Sequence, residues 1–417
     1  MSTDQIEYPK LRRLDAFPIK EGDRELICLR DPERITDAMI TLPRPAFFVV
    51  SHFDGTRSLV DIQASYMRQF GEILFSEDLR NLIRQLDENL MLDSDAFQRH
   101  LSGLREDFAA SATREPVCAG STYENDRPKL LDYLDSLFTG PDGPGLPGEP
   151  IAEDLVGLVA PHIDPERGGA TYAHGYRELA ERCGADTFVL LGTNHQPSET
   201  LFTVTSKKFR TPLGDAEPDE DLIRALEDGV SQDLRADEFC HRAEHSLEFQ
   251  VLFLQYVLGR MDRDFRIVPV LCSSPYMAQQ GALVPREPEA AEFSVALARA
   301  ADASGKKTAF VAGADLAHIG PQFGDPQQLT TPALRASEQA DKELLGSAEN
   351  MNEEEFLSVI LRERDARRIC GAGPIYTMLK AMRVDSGKLL HYGQWADPSG
   401  NGSVSFASMA FYAEEKE

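Results

Sequence analysis

The stretch TFVLLGTNH, residues 187–195, constrains the fold of this chain more than any other part of the sequence. It begins as a short apolar run with β-branched residues, which is typical of a strand buried on both faces of a parallel sheet. His195 follows directly after this strand, at the edge where open α/β sheets bind their ligands. The sequence therefore predicts an α/β fold, a central β-sheet flanked by helices, with a site at the carboxyl ends of its strands.

Two further segments repeat this arrangement. LVGLVAPH at 155–162 ends in His162, and TAFVAGADLAH at 308–318 carries Asp315 and His318 in the turn expected after its strand. From residue 151 onward, strand and helix patterns alternate until two closing strands near the end. Three buried strands that deliver metal-binding types of side chain to one sheet edge predict a site there.

The length of 417 residues favours two domains over one. In the first 110 residues, FFVVS reads as a short strand, and after a turn a helix begins near Ser58. The Pro/Gly-rich run TGPDGPGLPGEP reads as a loop that cannot continue a helix or a central strand. We predict a small domain, a helical and Pro/Gly-rich linker and a main domain, at residues 1–110, 111–150 and 151–417.

Composition excludes several function classes. The formal net charge of −26 argues against a nucleic acid or an anionic membrane as the main partner. No apolar run reaches the roughly 18–20 residues that cross a bilayer, and the start of the sequence lacks a signal-peptide pattern. The six cysteines include no CxxC pair and suggest no disulfide framework. We therefore expect a cytoplasmic protein.

Seven short motifs between residues 155 and 413 occur in an order that resembles the Memo family, called AmmeMemoRadiSam system protein B in microbes. They are APHI, GTNH, TPLG, EHSLEFQ, ADLAH, CGAGPI and GSVSFASMAF. The family fold is similar to class III extradiol-type non-haem iron dioxygenases. The resemblance implies a metal site at His162, His195 and Cys370, with Asp315 and His318 lining the same pocket.

The motifs depart from the family pattern at the rim of this pocket. The usual PHAGYxYSG is PHIDPERGG here, GPNHxG is GTNHQP, and the residue before Asp315 is Ala314 instead of serine. The three positions implied as ligands are retained, whereas the substrate-facing positions are not. The resemblance therefore does not carry over a substrate.

The proposed ligands are chemically compatible with a redox metal. Two imidazoles and a thiolate suit Fe(II), Cu or Zn and exclude Mg or Ca, and we expect Fe(II). Cys370 precedes the helix that begins IYTML, and a helix N-terminus favours the thiolate form. Asp315 and His318 read as a general acid/base pair. The alternative is that Asp315 caps a turn, His318 packs in the core, and each proposed ligand is an ordinary buried side chain.

HRAEH at 241–245 offers a rival function, because it spells the HxxEH pattern of zinc metallopeptidases. The residues that follow it continue the Memo-type motif instead. We expect His245 and Glu248 to border the pocket, as catalytic candidates, and His241 to lie at the surface.

The amino-terminal block resembles the PqqD-like winged-helix domains through FDGTRSLVDI and the leucine-rich helix that follows. Such domains commonly bind peptide substrates for a modifying enzyme; the alternative is a plain packing or dimerisation domain. Two function classes follow: a Memo-like, dioxygenase-like metal-dependent oxidoreductase, or a protein that binds a peptide or partner without turnover. Both resemblances imply a radical SAM enzyme as partner.

Overall fold

The computed structural model describes residues 6–22, 24–279 and 282–413. Within these ranges the chain forms twelve α-helices and sixteen β-strands, which confirms the mixed α/β class predicted from the sequence. The chain divides into two compact units, with the boundary between Ala110 and Ser111. No helix in the described ranges combines the length and apolarity that a bilayer crossing requires.

The first unit consists of a three-stranded antiparallel sheet followed by four helices. Its strands are β1 (Asp15–Glu21), β2 (Arg24–Arg30) and β3 (Met39–Pro43), in that spatial order. Its helices are α1 (Arg44–Val50), α2 (Leu59–Phe70), α3 (Ser76–Glu88) and α4 (Asp95–Ala110). They enclose a core of aliphatic and aromatic side chains that includes Val49, Ile62 and Leu86.

Two local expectations in this unit had different outcomes. The predicted helix start near Ser58 is confirmed, because Ser58 caps α2, and the side chains of Ser58 and Asp61 bond reciprocally to the backbone. The expected strand FFVVS is wrong, because these residues belong to α1. A short apolar run is compatible with either structure, and Pro45 in the first turn favours the helix.

The second unit alternates strands and helices. Its strands are β4 (Thr113–Arg114), β5 (Leu155–Ala160), β6 (Thr187–Thr193), β7 (Phe202–Val204), β8 (Lys208–Thr211), β9 (Gly214–Pro218), β10 (Arg266–Cys272), β11 (Tyr276–Gln279), β12 (Ala282–Pro285), β13 (Thr308–Gly313), β14 (Asp315–Ile319), β15 (Gly387–Ala396) and β16 (Ser403–Tyr412). Its helices are α5 (Arg127–Thr139), α6 (Pro165–Arg182), α7 (Glu220–Asp228), α8 (Ser246–Gly259), α9 (Glu287–Ala303), α10 (Thr331–Glu349), α11 (Glu353–Arg362) and α12 (Ala372–Ala381).

The main sheet has a parallel centre with the order β5-β13-β6-β10, in which each neighbouring pair runs parallel. These four strands are apolar and almost entirely buried, as expected for strands that are covered by helices on both faces. On the β5 side the sheet continues with β16 and β14, and on the other side with β9, β8 and β4. β11 and β12 form a separate hairpin.

The strand register aligns the carboxyl ends of β5, β6 and β13, which carry the three predicted site segments. Gly313 of β13 lies between Ala160 of β5 and Gly192 of β6 in the pairing. The residues that follow these three positions therefore leave the sheet side by side. This register explains why strand ends that are far apart in sequence meet at the same edge.

The helix α8 docks at this same edge. Its side chains are buried on nearly all sides, and it packs against the sheet. A Cβ on Gly192 would lie 2.6 Å from Ser246 Oγ. One on Gly313 would lie 2.7 Å from both Gln250 Nε2 and the Ser246 carbonyl oxygen, so a side chain at either position would collide with α8. The hydroxyl of Ser246 donates to the Thr193 carbonyl at 2.8 Å, and the side-chain amide of Gln250 donates to the Pro161 carbonyl at 2.8 Å. The start of α8 is thus attached to the ends of two strands.

Residues 111–150, which the sequence analysis assigns to a linker, form part of the second unit. β4 pairs with β8, and α5 packs against α6 within the core. The reason is a buried ion pair between Arg114 and Glu248 of α8, both of whose side chains are fully buried. The Glu248 carboxylate also accepts hydrogen bonds from the Tyr123 hydroxyl at 2.6 Å and from two backbone N–H groups.

We predict that Glu248→Ala strongly destabilises the second unit. Removing one partner of a buried pair leaves the other charge without compensation, at a cost of about 3–5 kcal/mol. Denaturant unfolding followed by circular dichroism measures the loss. The matched control is Glu217→Ala, which removes an exposed partner of Lys208 and should change stability little. Equal effects of the two variants would contradict the prediction.

Candidate metal site

His162 lies two residues after β5 and is 2% exposed. Its Nδ1 lies 2.9 Å from the Gly313 carbonyl oxygen, which can only accept a hydrogen bond. Nδ1 therefore carries the ring proton, and Nε2 keeps the lone pair that can bind a metal ion. Burial and the neighbouring His195 and His245 lower the pKa of His162 well below its usual value, so the ring stays neutral.

His195 lies two residues after β6 and is oriented by Glu244. Its Nδ1 is 3.1 Å from Glu244 Oε1, and its backbone N–H donates to Oε2 of the same carboxylate at 2.8 Å. Burial alone would lower the pKa of His195, but the Glu244 charge raises it. The contact with Glu244 favours the tautomer with the proton on Nδ1, which leaves Nε2 as the atom that can bind a metal ion.

His245 immediately precedes α8 and completes a cluster of three imidazoles. The ring centroids are 5.0 Å apart for His162 and His195, 5.7 Å for His162 and His245, and 5.1 Å for His195 and His245. One ligand atom from each of the three residues lies within 4.8 Å of the other two. The cluster follows directly from the docking of α8 at the edge of the sheet.

Cys370 is distant in sequence from these histidines and lies just before α12. Its Sγ is 3.2 Å from His162 Nε2. Together with His162 and Asp315 it forms a second group whose ligand atoms lie within 4.8 Å of one another. His162 belongs to both groups, so it links His195 of the first group to Cys370 of the second.

The expectation that the helix N-terminus keeps Cys370 as a thiolate is wrong for the metal-free protein. Burial, reinforced by the neighbouring Asp315 carboxylate, raises the pKa of the thiol well above its usual value. The thiol also lies 3.7 Å from the Asp315 carbonyl oxygen, to which it can donate. Cys370 is therefore a neutral thiol in this structure.

Asp315 and His318 lie on β14, a separate strand antiparallel to β16, and not on a turn as expected. Asp315 Oδ1 accepts from the His162 backbone N–H at 2.9 Å, and Oδ2 is 3.6 Å from His162 Nε2. Burial raises the pKa of Asp315 to about 7, against hydrogen bonds that lower it. Asp315 can therefore hold or release a proton near neutral pH.

His318 lies at the periphery of the cluster. Its Nδ1 is 3.1 Å from the Leu316 carbonyl oxygen, and its ring contacts Phe323 edge-on. Burial lowers the pKa of His318 to about 4, with a smaller contribution from the charge of His195. The direct Asp315–His318 pairing that the sequence suggested is replaced by contacts of Asp315 with His162.

Glu248 and His241 do not lie where the sequence analysis predicts them. Glu248 directs its carboxylate to Arg114 and Tyr123, as described above, instead of to the histidine cluster. His241 is 1% exposed, which contradicts its expected surface position. It lies in a 3₁₀ turn, Glu238–Arg242, and its Nε2 is 3.2 Å from the Thr203 carbonyl oxygen. The helical His–Glu–His geometry that the peptidase alternative requires is therefore not formed.

The family model for Memo-like proteins matches residues 114–410, most of the second unit. This chain belongs to the Memo family. A MEMO1 family protein of Aquifex aeolicus (strain VF5) is 28% identical over 97% of this chain and 100% of its own length. One from Methanococcoides burtonii is 31% identical over 70% of this chain and 96% of its own length. One from Methanopyrus kandleri is 31% identical over 72% of this chain and 98% of its own length.

Sequence reasoning missed two features of this Memo-family site. Glu244 belongs to both the HRAEH and the EHSLEFQ patterns, but neither pattern predicts that its carboxylate orients His195. His245 was expected to border the pocket, but not to join a group of metal-binding type. The available signal was the position of both residues directly before an apolar helix, whose start had to lie near a buried edge of the sheet.

Gly371 lets the Cys370 loop approach the strand ends in this Memo-family chain. An added Cβ would lie 2.5 Å from the Asp315 carbonyl oxygen and 2.6 Å from Ala314 Cβ. We predict that Gly371→Ala costs about 1–3 kcal/mol of stability and increases the reaction rate of Cys370 with a thiol reagent. Gly346→Ala is the control: no atom lies within 4 Å of the added Cβ in α10, so this variant should lose no stability and leave the thiol reaction rate unchanged. Unfolding curves and thiol kinetics that match the wild type would contradict this.

Proposed function

We propose that this Memo-family protein binds one Fe(II) ion through His162, His195 and Cys370 and acts as a metal-dependent oxidoreductase. The observation that carries the proposal is the fixed orientation of the two imidazoles. Gly313 holds Nδ1 of His162 and Glu244 holds Nδ1 of His195, so each ring presents Nε2 as its ligand atom. Outer partners of this kind are typical of histidines that bind metals.

The donor set fits such an ion. Ligands at roughly 2.0–2.3 Å from one metal lie about 3.1–3.6 Å from each other, and Cys370 Sγ is 3.2 Å from His162 Nε2. Nitrogen and sulfur donors suit Fe(II), Cu or Zn and disfavour Mg or Ca. Iron would supply one-electron redox chemistry toward dioxygen, and three protein ligands leave positions for other molecules.

Asp315 has the position and protonation behaviour of a proton carrier in this proposal. It is buried, it lies beside His162 Nε2, and its pKa is about 7. A group that titrates near neutral pH can both take and return a proton during turnover. His318 would line the same pocket at its periphery, as a neutral ring.

The second candidate function is recognition of a peptide or partner, such as a radical SAM enzyme or its substrate. The observation that favours it lies in the first unit. Val60, Met67, Ile73 and Phe75, on α2 and the connection to α3, are 50–70% exposed. Apolar side chains that remain exposed together are typical of interaction surfaces. The two functions are compatible, because they use different units.

Metal content after anaerobic purification tests the metal proposal. We expect about one iron per chain in the wild type and at least a tenfold loss of Fe(II) affinity in Cys370→Ser, since a serine hydroxyl is a harder and less acidic ligand. Cys28→Ser, which changes a buried thiol of the first unit, is the matched control and should retain the metal. A wild-type protein that takes up no iron would remove the proposal.

Asp315→Asn separates binding from turnover. The amide oxygen can still accept the His162 N–H, so iron should remain bound, while proton transfer is lost. We expect oxygen uptake by the Fe(II)-loaded protein, with a reductant present, to fall in this variant. The wild-type rate must exceed that of free iron. Equal uptake by wild type, Asp315→Asn and the iron-only control would argue for the binding function instead.

A further inference from the structure

His245 is placed as a metal ligand would be, although the motif resemblance assigns it no such role. The docking of α8 brings its ring to 5.0–5.7 Å from the other two rings, measured between centroids. Gly192 and Gly313 permit this approach, since any side chain there would collide with the first turn of α8. The position is therefore built into the packing of the sheet edge.

One buried carboxylate orients two of the three imidazoles. Glu244 Oε1 lies 3.1 Å from His195 Nδ1 and 3.2 Å from His245 Nδ1. The same oxygen accepts from the backbone N–H groups of His245 at 2.8 Å and Ser246 at 3.0 Å. Since Nδ1 of each ring faces Glu244, Nε2 is the ligand atom on both, as it is on His162.

We propose that His245 is a third nitrogen ligand, so that the ion of the proposed site binds to a face of three histidines with Cys370 as the fourth donor. This inference rests on the proposed metal-binding function and adds the ligand that sets metal preference. Three imidazoles favour borderline divalent ions such as Fe(II) and Zn(II), whereas the soft ion Cu(I) depends mainly on the thiolate. With four protein donors an Fe(II) ion can still accept a further ligand, because it commonly binds more than four donors.

The exposure of His245 also fits this role. Its side chain is 35% exposed, as is that of His195, whereas that of His162 is 3% exposed. His195 and His245 thus lie on the open side of the cluster, where an ion can enter. The rival role for His245 is contact with a substrate, in which case metal affinity would not depend on it.

Co(II) titration under anaerobic conditions tests the proposal, because Co(II) spectra report the ligands directly. The wild type should show a near-ultraviolet thiolate-to-Co(II) band from Cys370 and strong visible bands of a four-coordinate ion. His245→Gln should keep the thiolate band, change the visible bands and lose at least about tenfold in affinity, measured by competition with a chelator. His174→Gln, which replaces a histidine outside both ligand groups, is the control and should behave as wild type.

The outcomes separate this inference from the function on which it rests. If His245→Gln binds Co(II) with the same affinity and the same visible spectrum as the wild type, His245 is not a ligand. That result would leave the proposed metal site itself unaffected. A wild-type protein without Co(II) binding or thiolate band would overturn both. Circular dichroism of the metal-free variant checks its fold, and His245→Asn replaces it if the glutamine variant is unfolded.

Cu(I) provides the test of metal preference. Competition with a colorimetric Cu(I) chelator should give a large loss of affinity in Cys370→Ser and little change in His245→Gln. For Co(II), both variants should lose affinity. An equal loss of Cu(I) affinity in the two variants would overturn the assignment of divalent preference to His245.

Discussion

The candidate site depends on the burial of one carboxylate. Glu244 is 1% exposed, and a charge at that depth is tolerated only with near-complete pairing and hydrogen bonding. Burial alone would raise its pKa, but the charges and hydrogen bonds of His195 and His245 lower it well below the usual value. Satisfying this carboxylate thus requires the end of β6, the start of α8 and two imidazoles to meet at one point.

The sheet-edge part of this arrangement could be predicted from the sequence. Short, continuous apolar runs that lead to His162, His195 and Asp315 are typical of buried strands, and parallel strands deliver the residues that follow them to one edge. Cys370 has no comparable local signal and was reached only through the family resemblance. The sequence places His245 at the border of the pocket, but α8 is apolar on nearly all sides, so its pattern does not predict that His245 joins the two strand-end histidines.

The protonation of Cys370 shows why a local rule failed. A helix N-terminus contributes roughly 0.3–1 kcal/mol toward an anion, whereas full burial commonly shifts a pKa by several units, each about 1.4 kcal/mol. Burial therefore dominates, and the Asp315 carboxylate acts in the same direction. A metal ion, with its larger charge, is the partner that can displace the proton from such a thiol. The neutral thiol and a role as ligand are consistent.

The comparisons also bear on how the proposed functions divide between the units. The Memo-like model begins at residue 114, within the second unit, which holds every residue of the candidate metal site. The relatives from Methanococcoides burtonii and Methanopyrus kandleri match over about 300 residues and nearly all of their own length, so they are about as long as this unit alone. The metal site proposed above is therefore confined to the second unit. The exposed apolar side chains of the first unit support only the second candidate function proposed above, recognition of a partner.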